Sequence, residues 1–213
     1  IEQCYVSGTI LSESSNTKDF TAGALCRILG GGHIKESCSN VTIQQGAGFT
    51  YGAGIVAQFN SGTIINCYNK GKIHVSKGCS GGIAAYLLNN AKIENCYNIG
   101  IIQEEGIIAN TDSISKLRGG IVGSQGFSWA VAENAKVNNC YYLDTASTYL
   151  TYQYNGTTKQ YESILKNKKT STELMNLASA LGSEWTNDVK DASGNWKYNN
   201  GYPILKWQLN SNK

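Results

Sequence analysis

The chain is predicted to be all-β, a parallel β-helix wound as a three-sided solenoid and closed by a C-terminal cap. Three observations predict this. A short cysteine-centred segment recurs five times, a glycine-rich segment recurs between its copies, and the apolar runs joining them are too short for helices.

The cysteine-centred segment reads Ile1-Glu-Gln-Cys-Tyr5, Ile34-Lys-Glu-Ser-Cys38, Ile64-Ile-Asn-Cys-Tyr68, Ile93-Glu-Asn-Cys-Tyr97 and Val137-Asn-Asn-Cys-Tyr141. The second copy aligns on its cysteine only with a one-residue slip. Cys4, Cys38, Cys67, Cys96 and Cys140 stand 34, 29, 29 and 44 residues apart. The glycine-rich segment reads Ala22-Gly-Ala-Leu25, Gly52-Ala-Gly-Ile55, Gly81-Gly-Ile83 and Gly119-Gly-Ile-Val122. Between the two lie short apolar stretches such as Gly71-Lys-Ile-His-Val75 and Asn98-Ile-Gly-Ile-Ile102. Each unit therefore carries three strand-like runs bounded by Gly, Asn or Ser. Three strands make one coil, and equivalent positions stack at the sheet spacing of about 4.8 Å. One coil cannot bury its apolar side alone and depends on its neighbours.

Stacking assigns a task to each recurring residue. Ile1, Ile64 and Ile93, with the Ile or Leu after each glycine pair, fill the interior as aliphatic columns. Gln3, Asn66, Asn95 and Asn139 share the position before cysteine. Ile and Cys are three apart, so the chain must bend between them. Asn tolerates the left-handed backbone of such a corner, and its amide can bond along the stack. Tyr5, Tyr68, Tyr97 and Tyr141 form an aromatic ladder at the next position. The five cysteines form an interior column of free thiols, acting as small buried hydrophobes. Cys26 and Cys79 fall outside it, and spacing alone does not decide whether they pair. The glycine pairs fit tight turns or the close approach of coils.

The coils occupy residues 1–142. The stretch from Cys96 to Cys140 holds about 15 residues beyond the 29-residue period, as insertions at 103–117 and 124–133. Insertions in a repeat array become surface loops, often on a binding face. The second carries Phe127 and Trp129, whose rings suit a sugar or a partner protein. The competing reading has both packing the loops onto the coil or against the cap. Arg118 near Glu104 and Glu105 is the best polar candidate for a ligand site.

Residues 143–213 form the capping region. Asn155-Gly156 suits a hairpin turn. Thr170 with Glu173 reads as a capping box that opens one short helix. Leu174, Leu177, Ala178 and Leu181 share a face of that helix, and Gly182 stops it. Asn199-Asn-Gly201 turns into a final strand, Tyr202 to Trp207. A solenoid end has unpaired edges, which a cap would cover.

Composition narrows the function. Only 15% of the 213 residues are charged, the net charge is +3, and Arg27 and Arg118 are the only arginines. Nucleic-acid binding wants clustered basic residues, so that class is not expected. No apolar run approaches the roughly 18 residues of a membrane span, so no membrane insertion is expected. No Cys-x-x-Cys pair or His-Glu-x-x-His motif occurs, and neither His33 nor His74 has a ligand at metal spacing. No metal and no cofactor are expected.

Asn-Cys-Tyr-Asn at 66–69 and 95–98, alternating with Gly-Gly-Ile at 81–83 and Gly-Gly-Ile-Val-Gly at 119–123, resembles the GLUG-motif repeat family. The resemblance covers roughly residues 1–142 and is weaker in the first two coils, where Ala24-Leu25-Cys26 and Ser37-Cys38-Ser39 depart from the pattern. Such repeats occur in secreted and surface proteins of bacteria, including adhesin-like proteins and some IgA-cleaving metallopeptidases. The resemblance implies a secreted or cell-surface bacterial location. It also implies a right-handed coil, as does the rule for parallel crossovers. The chain starts inside a repeat, so further domains of a larger parent chain are expected. The expected function is a non-catalytic module adhering to host or microbial glycans or glycoproteins. A purely structural stalk is the alternative. A polysaccharide lyase or glycoside hydrolase is the competing class, and it would need paired or stacked carboxylates.

Overall fold

The backbone at the residue before each cysteine sets the geometry of the coil. Asn66, Asn95 and Asn139 take φ of 53, 52 and 47°, and Gln3 and Glu36 take 51 and 49° in the same column. This left-handed conformation is one Asn adopts at small cost, and it bends the chain before each cysteine as expected. Asn139 also donates its amide to Asn95 Oδ1 at 2.8 Å, along the stack.

The computed structural model describes residues 1–12, 20–44, 48–103, 110, 111, 113, 116–130 and 132–211. Its strands build a parallel β-solenoid of about five turns. Each full coil contributes to three sheets. The first takes Tyr5–Leu11, Cys38–Gln44, Tyr68–Asn69 with Ile73–His74, Tyr97–Asn98, Tyr141–Leu143 and Lys168–Lys169. The second is built on Cys26–Lys35, Val56–Ile65, Ala84–Leu87 with Ala91–Glu94, and Val122–Gln125 with Lys136–Asn138. The third takes Phe20–Gly23, Phe49–Ala53, Lys77–Gly81 and Lys116–Gly119.

Register makes the columns explicit. Ile34, Ile64, Ile93 and Val137 lie opposite one another, and the first three are fully buried. Ile1 heads this column and is 52% exposed. Cys67, Cys96 and Cys140 join the same core. Each thiol donates to the carbonyl two residues before it, at 3.3, 3.1 and 3.0 Å.

Cys38 corrects the expected column. It lies opposite Tyr5 and Tyr68, in the tyrosine position, while Ser37 stands in the cysteine position. Ser37 Oγ donates to Lys35 O at 2.8 Å, as the thiols do to their own carbonyls. The cause is the register of Ile34 on Ile64 and Lys35 on Ile65, which by counting sets Ser37 against Cys67.

Alternation along the strand turns the next residue the other way. Tyr68 and Tyr97 leave the core and stack at 5.1 Å with 1° between ring planes. An outward column of large rings must be covered, and the C-terminal region covers it. Here the structure departs from a cap drawn across the open end. That end is extended on the first sheet by Lys168–Lys169 and on the second by the hairpin Thr151–Asn155 and Gln160–Ile164. Its first strand pairs in parallel with Val122–Gln125 and its second returns antiparallel. The remainder runs back along the side.

That returning segment holds two short helices rather than one. Ser171–Met175 opens with the Thr170–Glu173 capping box, and Ala178–Leu181 follows. Leu174, Ala178, Leu181, Trp185 and Leu205 pack on Cys38, Tyr68 and Tyr97. The last strand is only Ile204–Leu205, paired with Trp185–Thr186, and Trp207 lies in a 3-10 turn instead. Trp185 Nε1 donates to Asn66 Oδ1 at 3.3 Å, and Trp207 Nε1 to Glu36 O at 2.7 Å. Asp188 ties the segment together by accepting from the backbone N–H of Val189, Tyr198, Asn199 and Gly201. Tyr97 hydroxyl donates to Pro203 O and accepts from Asn199 Nδ2.

All seven cysteines are free, and only Cys4 and Cys26 are even partly accessible. A thiol-reactive dye added to the native protein should therefore label at most these two quickly, with the other five appearing on unfolding. Rapid labelling of four or more in the native state would contradict the buried column.

Candidate functional site

The inserted loop after Val122–Gln125 is held at both ends. Gly126 N donates to Leu87 O at 3.0 Å in the preceding coil, and Glu133 N to Asn89 Oδ1 at 2.9 Å. Between them the backbone closes a tight turn. Phe127 N donates to Ala130 O at 2.7 Å and Ala130 N to Phe127 O at 3.1 Å. Ser128 and Trp129 form its tip.

The turn separates the two aromatic candidates. Phe127 is fully buried and Trp129 is 63% exposed. Phe127 meets Tyr86 edge-on at 4.9 Å, Tyr51 at 6.1 Å and Tyr161 at 6.4 Å. Trp129 stacks on Phe127 at 4.8 Å with 21° between planes. The packing reading therefore describes Phe127, and Trp129 is left as a surface ring backed on one side. The ring beneath it is itself fixed by three tyrosines on three different strands. Burial pushes the Tyr161 phenol up to about 12, so it stays neutral beside this cluster across the ordinary pH range.

Arg118 is buried against the coil beneath it. It is only 4% exposed, and its guanidinium donates to Gly78 O and, at 2.7 Å, to Val75 O. It clamps the preceding coil through backbone carbonyls, from the edge strand Lys116–Gly119 of the third sheet. Glu104 and Glu105, expected beside it, lie outside the described residues. Among the described residues no strand register sets one carboxylate against another.

Tyr51, Tyr86 and Tyr161, which complete the aromatic cluster, were not singled out by sequence reasoning. A signal existed. Tyr51 and Tyr86 flank glycine-rich corners of successive coils, where the chain doubles back and brings their strands together. Asn69 and Asn98 form a second asparagine column that the repeat motif contains but whose role it does not announce. Each is fully buried, each bonds the backbone two residues on, and Asn69 Nδ2 donates to Asn98 Oδ1 at 2.8 Å.

No protein-family model and no curated protein matches the chain. Among solved structures it is similar to a putative immunoglobulin A1 protease from Bacteroides ovatus, with a TM-score of 0.53 and 21% identity. The match covers 97% of this chain and 57% of that one, so this chain spans little more than half of its length. At that identity the likeness establishes the fold and nothing finer.

Proposed function

We propose that this chain is a non-catalytic β-solenoid module that recognises a glycan or glycoprotein, serving adhesion in a secreted or cell-surface bacterial protein. The observation that carries the reading is Trp129, an exposed indole held flat against a buried, immobilised phenylalanine. A sugar ring presents an apolar C–H face and a polar rim, which suits an aromatic platform with backbone groups around it. A ring already fixed in place loses little side-chain entropy on binding. The Arg118 guanidinium donates to backbone carbonyls of the preceding coil rather than lining this platform. The similarity to a chain described as an immunoglobulin A1 protease is compatible with a module carried beside a catalytic domain on a larger protein that acts on a glycoprotein.

A glycan and host-glycoprotein array probed with the purified chain and with Trp129→Ala tests this. Saturable binding that falls at least tenfold in the variant is expected. If the parent chain binds nothing on the array, the stalk reading replaces this one, and the stacked columns themselves become the function.

A further inference from the structure

A second, separate site lies where the returning C-terminal segment meets the head of the tyrosine column. The cleft measures about 270 Å³ and its walls include Tyr5, Tyr68, Lys70, Lys197, Tyr198 and Trp207. Two lengths of chain far apart in sequence are joined there. Lys70 Nζ donates to Tyr198 O at 3.0 Å and stands 5.9 Å from the centre of the Tyr5 ring. Lys197 Nζ stands 5.2 Å from the centre of the Tyr198 ring. No carboxylate is among the described wall residues. The ion pairs among the described residues join Lys35 to Glu2 and Lys169 to Glu173, so neither cleft lysine is neutralised by one.

We propose that this cleft binds a single sugar ring bearing an oxyanion, a uronic acid or a sulfated hexose. An ammonium has three donors, and Lys70 uses one on Tyr198 O, which leaves two for an anion. Lys197, on the returning C-terminal segment, supplies a second positive charge to the cleft. The half-exposed Tyr5 ring offers a face for the sugar's C–H groups. A neutral sugar would leave both charges unanswered, and a bare inorganic anion would leave the ring uncovered. The volume suits one pyranose unit, below the range for drug-sized ligands. The site shares no residue with the Trp129 cluster and does not rest on that platform.

The test titrates the intact chain with glucuronic acid, glucose 6-sulfate, glucose and inorganic sulfate, following backbone amide shifts by NMR. One charged sugar should saturate the cleft, and glucose and sulfate should each bind at least tenfold more weakly. The tighter of the two charged sugars assigns carboxylate or sulfate. Lys197→Met and Tyr5→Ala, both at exposed positions, should each weaken binding about fivefold or more, and added salt should weaken it further. Trp129→Ala should leave it unchanged, whatever that variant does on the glycan array. The proposal is overturned if glucose binds as well as the charged sugars, if sulfate alone matches them, or if Trp129→Ala abolishes the effect.

Discussion

Raising the pH from 9 to 11 is expected to unfold the chain. Burial holds the Cys38 thiol up at about 11, against an ordinary value of 9.0. Cys79 and Cys96 are likewise held well above that ordinary value, Cys79 by burial and Cys96 by burial and then by the thiols of Cys140 and Cys67 beside it. Burial likewise keeps the Tyr68 and Tyr97 phenols protonated well above their usual 10.0. Below pH 9 these groups carry their protons in both folded and unfolded chains, and the stability they contribute is complete. Above it the unfolded thiols ionise while the folded ones cannot. The unfolded state then binds fewer protons, and stability falls as pH rises. Each group contributes about 1.4 kcal/mol per pH unit in that window. Three thiols together give about 4 kcal/mol per unit, with the phenols adding to it above pH 10. Small domains hold a net stability of about 5–15 kcal/mol, so two units of pH consume much of it. Urea midpoints followed by circular dichroism at pH 7, 9, 10 and 11 measure the fall. Cys96→Ala should flatten the slope by about one group's share. A midpoint constant from pH 8 to 10.5 would mean that the thiols and phenols reach water in the folded state.

The same buried groups show which parts of the fold were legible in the sequence. The coil was, because stacking demands the same residue at the same place and so writes itself as a repeat. The left-handed corner at Asn66, Asn95 and Asn139 was, since few other residues accept it. The capping box at Thr170 was also readable, because its chemistry spans four residues. The path of the C-terminal segment was not. Its anchors join Trp207 to Glu36 and Trp185 to Asn66, contacts 171 and 119 positions apart that leave no local pattern. The amphipathic run after Thr170 showed that something had to be covered, and the tyrosine column, set outward by alternation with cysteine, is what it covers. Ser37 took the place assigned to Cys38 because aligning on the cysteine obeyed residue identity, whereas the sheet obeys the count from Ile34. At the candidate site, Phe127 and Trp129 sit two apart on a tight turn that sends one ring inward and the other out, a division that composition cannot express.

Gly82→Ala is expected to damage the fold severely. A Cβ at Gly82 would press into the side chain of Asn98 and the carbonyl of Gly120 in the next coil, both inside contact distance. Neither neighbour can give way. Asn98 donates to Gly100 O at 2.8 Å, accepts from Gly100 N at 3.1 Å and accepts from Asn69 at 2.8 Å. The same seat occurs one coil earlier, where Gly54 lies against Asn69 and the carbonyl of Gly82. One coil later Gly120 lies against the ring of Tyr142. Glycine at the corner and asparagine after tyrosine are thus two halves of one contact, which explains why the two motifs travel together along the chain. Forcing a methyl into such a seat costs about 3 kcal/mol, the upper end for overpacking. Gly30→Ala is the control, because nothing stands within 4 Å of its Cβ position, and it should change stability by no more than about 0.5 kcal/mol. Urea unfolding of both variants beside the parent decides the matter. If Gly82→Ala unfolds within about 1 kcal/mol of the parent, the coils have slack at the corner and the glycine column has another cause.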